Sequence, residues 1–459
     1  MTETYENNEE EVEALLDYLK KDIEKDDLKT RYNSIVRLKS LVTDLSCAKI
    51  TGSKRGFLIL FQLAFSNSTM QQKSANAARC IFNTMLLNPD SRDIFIENNG
   101  IQHIMKEYTD FLKLPLIHED DFDFMFIYTR ILFLLTTQPG KAITTLMELG
   151  IFQIINQYLE YFEAYLKSSD VWPKQSICTI QEYMKLLFNL VRGETDESLI
   201  NILPLIRLLN LSFSHSNLQQ LTFEIINCLL NLPITELFNP ENRPEYCIEE
   251  LLKILDTLLL NIDLGIHSND QSSSVNLDSA LETKILSLIT FFRKVLKHST
   301  EPIEALLAFH LLPQSKDRQQ ILGRGDTLSS RALRIMTVPF PLIRESISWL
   351  LYELNHSDET SFINSIGFGY ASGFLVSQGI PFTSPDSKDF QATDGINPIT
   401  GQTLEAERMA LSNLPEMTEE EKERDAERLF VMFQRLEKNG ILSVKNPIKD
   451  AFQSGRFSD

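Results

Sequence analysis

Apolar residues recur along most of the chain at the three- and four-residue spacing of an α-helix face. The first such face consists of Val12, Leu15, Leu16, Leu19 and Ile23. Further helical runs of the same kind occupy 180–192, 198–213, 218–232, 247–262, 280–298 and 302–312. No run shows the strict alternation of apolar and polar residues that a half-buried strand requires. The pattern therefore predicts an all-α protein without a parallel sheet.

Two segments of the chain resemble each other at a fixed offset, which is typical of a repeat protein. They are 88–108 and 138–159. The matched residues are Pro89 with Pro139, Gly100 with Gly150, Ile101 with Ile151, Ile104 with Ile154, and Tyr108 with Tyr158. Each copy reads as a short helix, a glycine that allows a positive φ, and a second helix. The repeat predicts an armadillo/HEAT-like α-solenoid, which we assign to residues 1–375.

The composition changes after the solenoid. Residues 376–416 are rich in Gly, Pro, Ser, Thr and Asp and have little to bury, which predicts an irregular linker. Residues 417–459 are predicted to form a C-terminal amphipathic helix and tail, with Thr418 and Glu421 as a capping box at the helix start. The apolar face of this helix consists of Ala426, Leu429, Phe430, Phe433 and Leu436. It must be buried either on the solenoid or on a partner.

Charge and apolar content limit the partners. The chain has 459 residues and a net charge of −19, which has the wrong sign for binding nucleic acid through its phosphates or an anionic membrane surface. A basic protein segment is a better electrostatic partner. The longest apolar stretch, 124–135, is too short to span a bilayer and contains Arg130. The five cysteines show no metal-type spacing and are expected to be free thiols. We therefore expect a cytosolic protein that does not insert into a membrane.

One segment raises the question of phosphate binding. It is LGRGDTLSSRALRIMT, residues 322–337. A dinucleotide fingerprint needs a third glycine where Leu328 stands, and a Walker-type loop needs Gly-Lys-Ser/Thr where the chain has Leu-Ser-Ser. The segment instead predicts a helix break and a new helix capped by Asp326 or Thr327. Since no histidine is three or four residues from another and no Gly-x-Ser-x-Gly occurs, we expect no catalytic residue, no metal and no cofactor.

Three otherwise apolar helices carry polar residues in pairs. The pairs are Arg79 with Asn83, Lys185 with Asn189, and Asn227 with Asn231. Their i, i+4 spacing places both members on one helix face. In an armadillo-type solenoid one helix per repeat lines a groove whose polar residues bind a peptide. With Arg130 these residues predict a partner-binding groove that carries basic groups. The alternative is that the asparagines cap helix ends or satisfy the loops between repeats.

Several motifs in the last third of the chain resemble one known family. LGRGDTLSSRALRIMTVPFP (322–341), GFGYASGFL (367–375), NPITGQ (397–402) and the segment 417–447 occur in this order. Together they are similar to the signature of the synembryn family, and more so to its fungal than to its animal members. The match is specific over 322–447, and the rest of the chain shares mainly the helical, repeat-like character.

The resemblance implies a function. Synembryns are guanine nucleotide exchange factors and folding chaperones for the α subunits (Gα) of heterotrimeric G proteins. The implied solenoid captures the C-terminal helix of Gα, GDP leaves, and a nucleotide-free complex persists until GTP binds. The C-terminal helix of this chain is then expected to hold Gα through Leu429, Phe430, Phe433 and Leu436. We expect a monomer in the cytoplasm that reaches the cell cortex through Gα.

Animal synembryns carry an acidic, phosphorylated stretch after the solenoid, and this chain departs from that pattern. In 381–394 only Thr383, followed by Asp386, suits an acidophilic kinase, which disfavours phosphoregulation. Two other functions stay open. A non-catalytic armadillo adaptor for another basic peptide or helix would also suit an acidic protein, although it has no reason to carry the 322–447 block. The third function is an enzyme with an unrecognised site.

Overall fold

The computed structural model describes residues 2–23, 28–65, 74–114, 119–192, 199–267, 278–385, 387, 390–391, 393–412 and 418–438. Within these ranges the regular elements are helices, and the pair Ile396–Thr403 forms an isolated bridge. The first eleven α-helices are α1 (Thr2–Asp22), α2 (Leu28–Leu41), α3 (Leu45–Thr51), α4 (Lys54–Phe65), α5 (Ala75–Leu87), α6 (Ser91–Glu97), α7 (Gly100–Phe111), α8 (Glu119–Leu135), α9 (Lys141–Glu148), α10 (Ile151–Lys167) and α11 (Lys174–Val191). The remaining ones are α12 (Leu203–Ser212), α13 (Gln219–Leu230), α14 (Pro244–His267), α15 (Ser279–His298), α16 (Glu301–Leu311), α17 (Leu328–Ile335), α18 (Pro341–Leu354), α19 (Glu359–Ile366), α20 (Phe368–Ser377), α21 (Leu404–Ser412) and α22 (Glu419–Lys438). The predicted all-α class is confirmed.

The helices form a two-layer solenoid. In the central row, each of α5, α8, α11, α13, α15 and α18 packs on the next. A second layer, which includes α4, α7, α10, α12 and α14, packs against that row. Contacts are therefore mainly between neighbours in the sequence, as expected of a repeat architecture.

Single side chains also tie the rows together. The Lys294 ammonium of α15 donates to the carbonyls of Leu229 and Leu230, each over 2.9 Å, and to that of Leu232. These carbonyls lie at and just beyond the C-terminal end of α13, where a helix leaves its last acceptors unpaired and favours a cation. Lys294 on α15 therefore caps the C-terminal end of α13, the preceding helix of the central row.

The predicted repeat is visible in the structure, with one difference. Gly150 has φ +74° and directly precedes α10, as the glycine-break prediction requires. In the first copy, however, the left-handed residue is Asn99 at φ +59°, and Gly100 is already the first residue of α7. Asparagine tolerates this conformation because its short side chain is polar. The glycine at position 100 is needed for space instead, since a Cβ there would lie 2.4 Å from the Phe95 ring.

The matched tyrosines of the repeat contact each other directly. The Tyr158 hydroxyl donates to the Tyr108 carbonyl over 2.8 Å, and their rings meet edge to face with centroids 5.7 Å apart. Both side chains are fully buried, and burial raises the pKa of both phenols.

Four of the five cysteines are also buried in the core. Burial raises the pKa of the Cys80 and Cys247 thiols to about 12. All five cysteines are free, so the free-thiol prediction is confirmed.

The C-terminal part contains the predicted helix and one that was not predicted. Helix α22 begins after Thr418, whose hydroxyl accepts from the Glu421 amide while the Glu421 carboxylate accepts from the Thr418 amide, as the capping box requires. Inside the predicted linker, α21 forms and contacts the turn at 317–319. Asp386, the acidic residue that follows Thr383 in the predicted kinase site, lies outside the described residues. None of the described helices combines the length and apolar character needed to cross a bilayer.

Candidate functional site

The central row brings the predicted groove residues other than Asn189 together on one surface. Arg79 and Asn83 lie on α5, Arg130 on α8, Lys185 and Asn189 on α11, and Asn227 on α13. These four helices are consecutive members of the central row. We call the surface that they share with α15 the row surface. Its members named below are Arg79, Phe82, Asn83, Asp123, Phe126, Arg130, Glu182, Lys185, Phe223, Glu224, Asn227 and Lys284.

Acidic side chains accompany the basic residues of the row surface. Arg79 forms an ion pair with Asp123 of α8, the next helix of the central row. Glu182, which is only 7% exposed, accepts from the Lys185 ammonium over 2.8 Å and lies 4.0 Å from the Arg130 guanidinium. A carboxylate this buried is stable because it is paired. The surface is therefore of mixed charge, rather than basic as the sequence suggested.

Arg130 has an aromatic environment. Its guanidinium carbon lies 4.7 Å from the ring centroid of Phe82 on α5 and 5.4 Å from that of Phe126 on its own helix. Contact with the negative faces of two rings stabilises the cation and fixes its plane. The side chain is nevertheless 41% exposed, and its 4.0 Å pair with Glu182 is loose. Arg130 is thus well oriented and still accessible to a partner.

The asparagines divide between the two predicted roles. The Asn189 amide donates to the Phe133 carbonyl and the Thr136 hydroxyl, each over 3.2 Å, and the residue is 7% exposed. Asn231 donates to the Asn227 carbonyl over 3.3 Å at the end of α13. These two satisfy helix ends, which was the alternative considered for them. Asn83 and the Asn227 side chain are partly exposed and stay available.

Sequence reasoning missed several members of the row surface. Those that the sequence pattern did not predict include Phe82, Phe126, Glu182, Glu224 and Lys284. Glu182 and Glu224 each stand three residues before a predicted groove residue, Lys185 and Asn227, and so occupy the same helix face. Extending the i, i+3 pattern to acidic residues would have found them. The two phenylalanines gave no such signal, because a helix in a core also carries aromatic residues.

The segment 322–337 has a structural role. Thr327 caps α17 by accepting from the Ser330 amide, as predicted. Arg331 donates to both oxygens of Asp256 over 2.6 Å, and Arg334 donates to Asp263 and, over 2.8 Å, to the Gly325 carbonyl. The arginines therefore bind α14 and the preceding loop, which leaves their guanidinium groups engaged within the protein.

Three separate motifs of the resemblance meet at the end of the solenoid. The Phe368 and Gly369 amides donate to the Pro398 and Ile399 carbonyls over 2.8 and 3.1 Å. The Tyr370 hydroxyl donates to the Leu322 carbonyl over 3.0 Å. Segments 322–341, 367–375 and 397–402 thus form one packed unit, which we call the terminal node.

The predicted clamp on α22 is only partly described. Leu429 is 46% exposed and Phe430 is partly exposed. The neighbouring Val431 is 44% exposed. The side chains of Phe433 and Leu436 lie outside the described part of the chain. At the described positions, the apolar face of α22 is not fully covered.

The described residues offer no cluster of metal ligands. No three histidine, cysteine or acidic side chains among them are grouped closely enough to hold a metal ion. What the row surface and α22 present is contact area with aromatic and charged groups. Such surfaces recognise protein segments.

Comparison with known proteins agrees with this architecture. The family described as guanine nucleotide exchange factor synembryn matches residues 34–456. The synembryn-like chaperone of Schizosaccharomyces pombe is 26% identical over 92% of this chain and 83% of its own length. Chaperone Ric-8A of Macaca fascicularis is 23% identical over 79% of this chain and 71% of its own length. Chaperone Ric-8A of Xenopus laevis is 25% identical over 71% of this chain and 65% of its own length. The chain belongs to the synembryn family.

Proposed function

We propose that this protein is a guanine nucleotide exchange factor and folding chaperone for Gα subunits. The observation that carries the proposal is the row surface, which crosses five consecutive helices of the central row with aromatic groups and charges of both signs. A surface of this kind suits an amphipathic helix laid across the row. Membership of the synembryn family supports the C-terminal helix of Gα as that ligand.

The proposed mechanism makes and breaks no covalent bond. While the row surface holds the C-terminal helix of Gα, that helix cannot pack on the Gα core, and the loop that binds the guanine base loses its support. GDP leaves because the protein binds the nucleotide-free conformation more tightly than the GDP-bound one. By the same linkage, GTP binding weakens the complex and releases Gα.

Helix α22 supplies a second contact in this proposal. Its apolar face, with Leu429 exposed, would pack on the nucleotide domain of Gα while the row surface holds the C-terminal helix. Two linked contacts bind more tightly than either alone, because the second forms within the complex. The same two contacts would protect nascent Gα, which is the chaperone activity. We place the protein in the cytoplasm as a monomer that reaches the cell cortex only through Gα.

Complex formation tests the proposal through a matched pair of arginines. Purified Gα from the same organism should co-elute with the protein without nucleotide and separate when GTP is added. Arg130→Ala should weaken the complex by about tenfold, the effect of losing an interface anchor. Arg207→Ala should leave it unchanged, because Arg207 lies on α12 in the second layer and is similarly exposed at 51%. Equal effects of both variants would mean that the row surface does not bind Gα.

The second candidate function is a non-catalytic adaptor for another basic peptide or helix. Glu182 and Glu224 favour it, because both place carboxylates on the row surface. An adaptor would bind a basic peptide through the row surface without forming a GTP-sensitive complex with any Gα. The co-elution experiment therefore separates the two functions.

A further inference from the structure

Glu224 is the acidic residue of the row surface that has no cationic partner in contact. It lies on α13 and accepts a hydrogen bond from Gln220 over 2.9 Å. The two lysines whose charges act on Glu224 are engaged elsewhere. Lys185 pairs with Glu182 over 2.8 Å, and the Lys284 ammonium lies 5.1 Å from the centroid of the Phe223 ring. No ion pair within 4.0 Å reaches Glu224 from the described residues.

This arrangement leaves a partly buried carboxylate with its charge poorly compensated. Burial raises the pKa of Glu224, and the charge of Glu182 raises it further, while the Gln220 hydrogen bond, Lys185 and Lys284 lower it. The net direction is upward. The two lysines therefore do not supply what the ionised carboxylate has lost by leaving water.

We infer that Glu224 receives a lysine or arginine side chain of the bound partner helix. The inference rests on the proposed function and specifies the chemistry of one contact in it. A partner cation would supply the missing counter-charge, so the contact strengthens binding without disturbing an existing pair. An acidic side chain at the same point would meet Glu224 and Glu182 and be repelled. Glu224 thereby selects the register in which a helix lies across the row.

Stability and affinity together distinguish a binding role of Glu224 from a merely structural one. A carboxyl whose pKa is raised in the folded state destabilises that state fully above the folded pKa, and the penalty shrinks as the pH falls below that pKa and vanishes below the unfolded pKa. Glu224→Gln removes the penalty and keeps the size and the polar contact with Gln220. We therefore expect this variant to melt at the same temperature as the wild type or higher at neutral pH, while its affinity for the partner falls.

The experiment is a titration with synthetic peptides of the Gα C-terminal helix. One peptide has the native sequence, and further peptides each replace one lysine or arginine by glutamine. Glu224→Gln should lower affinity for the native peptide by about tenfold. For one substituted peptide the wild type and the variant should bind equally, which identifies the partner cation. Glu160→Gln, at an exposed carboxylate on α10, is the control and should change nothing.

The pH dependence gives a second readout. As the pH falls toward the raised pKa of Glu224, the wild type should lose affinity and the glutamine variant should not, since only the ionised form attracts the cation. Unchanged affinity in Glu224→Gln would overturn the inference and leave the proposed function standing. An equal loss of affinity of Glu224→Gln for every peptide, together with a lower melting temperature of this variant, would also overturn the inference. No binding of Gα or its peptide to the wild type would overturn the proposed function and the inference together.

Discussion

The guanidinium of Arg318 donates to the carbonyl of Gly401 over 2.8 Å, although 83 positions separate the two residues. The same side chain donates to the Ser365 carbonyl over 2.8 Å, and the Arg318 carbonyl accepts from the Thr403 amide over 3.0 Å. One residue thus joins the turn before α17, the end of α19 and the loop before α21. These bonds fix the loop at 397–403, which the sequence assigned to an irregular linker, against the end of the solenoid.

Removing the Arg318 side chain should free that loop. Arg318→Gln loses the donors to Ser365 and Gly401, and amide exchange over 397–403 should become roughly tenfold faster, the effect of losing one charge-assisted hydrogen bond. Exchange in α5, α8 and α11 should not change, because these helices are far along the solenoid. The control is Arg324→Gln, at an exposed arginine six residues further along the chain. Uniform acceleration along the chain would contradict a local role.

Gly401 should not tolerate a side chain. Its φ of +72° is strained for other residues, and a Cβ there would lie 2.4 Å from Cδ1 of Leu322. Gly401→Ala should therefore lower the free energy of unfolding by about 1–3 kcal/mol in urea denaturation. Gly373→Ala is the matched control, because α20 leaves open space at that position. It should raise stability by up to about 1 kcal/mol, the helix preference of alanine over glycine. Equal effects of the two would contradict the packing described for the terminal node.

The pair of Arg334 and Asp263 should contribute strongly to stability. Asp263 is only 6% exposed, so Arg334→Gln leaves a buried carboxylate without its charged partner. We expect a loss of about 3 kcal/mol in the free energy of unfolding. The control is Lys253→Gln, which breaks the pair of Lys253 with Glu250. Because the Lys253 side chain is 68% exposed, this variant should have no measurable effect on stability. Similar losses from both would show that burial does not distinguish these pairs.

The proposed clamp on α22 predicts a separation between folding and binding. Leu429→Asp and Phe433→Asp place a charge on the apolar face of the helix, and either should weaken the complex with Gα by about tenfold or more. The melting temperature of the solenoid should not change. Glu423→Gln alters an exposed position of α22 and is the control. Full Gα binding by both aspartate variants would exclude the clamp.

Features set by neighbouring residues could be predicted from the sequence. The helices, the Thr327 cap and the Thr418–Glu421 capping box depend on contacts three or four residues apart, so the pattern contains them. The sequence also assigned Arg79, Arg130 and Lys185 to one groove, because repeats fix which face each helix presents. It could not supply partners from other repeats. The carboxylates of Asp123 and Glu182, the buried bonds of Asn189 and the tie between Arg318 and Gly401 depend on tertiary packing.

The rate of GDP release from purified Gα of the same organism tests the proposed exchange activity directly. The measurement compares Gα alone, Gα with the wild-type protein, and Gα with Arg130→Ala or with its control Arg207→Ala. We expect faster release with the wild type and with Arg207→Ala, and a reduced effect with Arg130→Ala. GDP release that is the same with and without the wild-type protein would contradict the exchange activity that we propose.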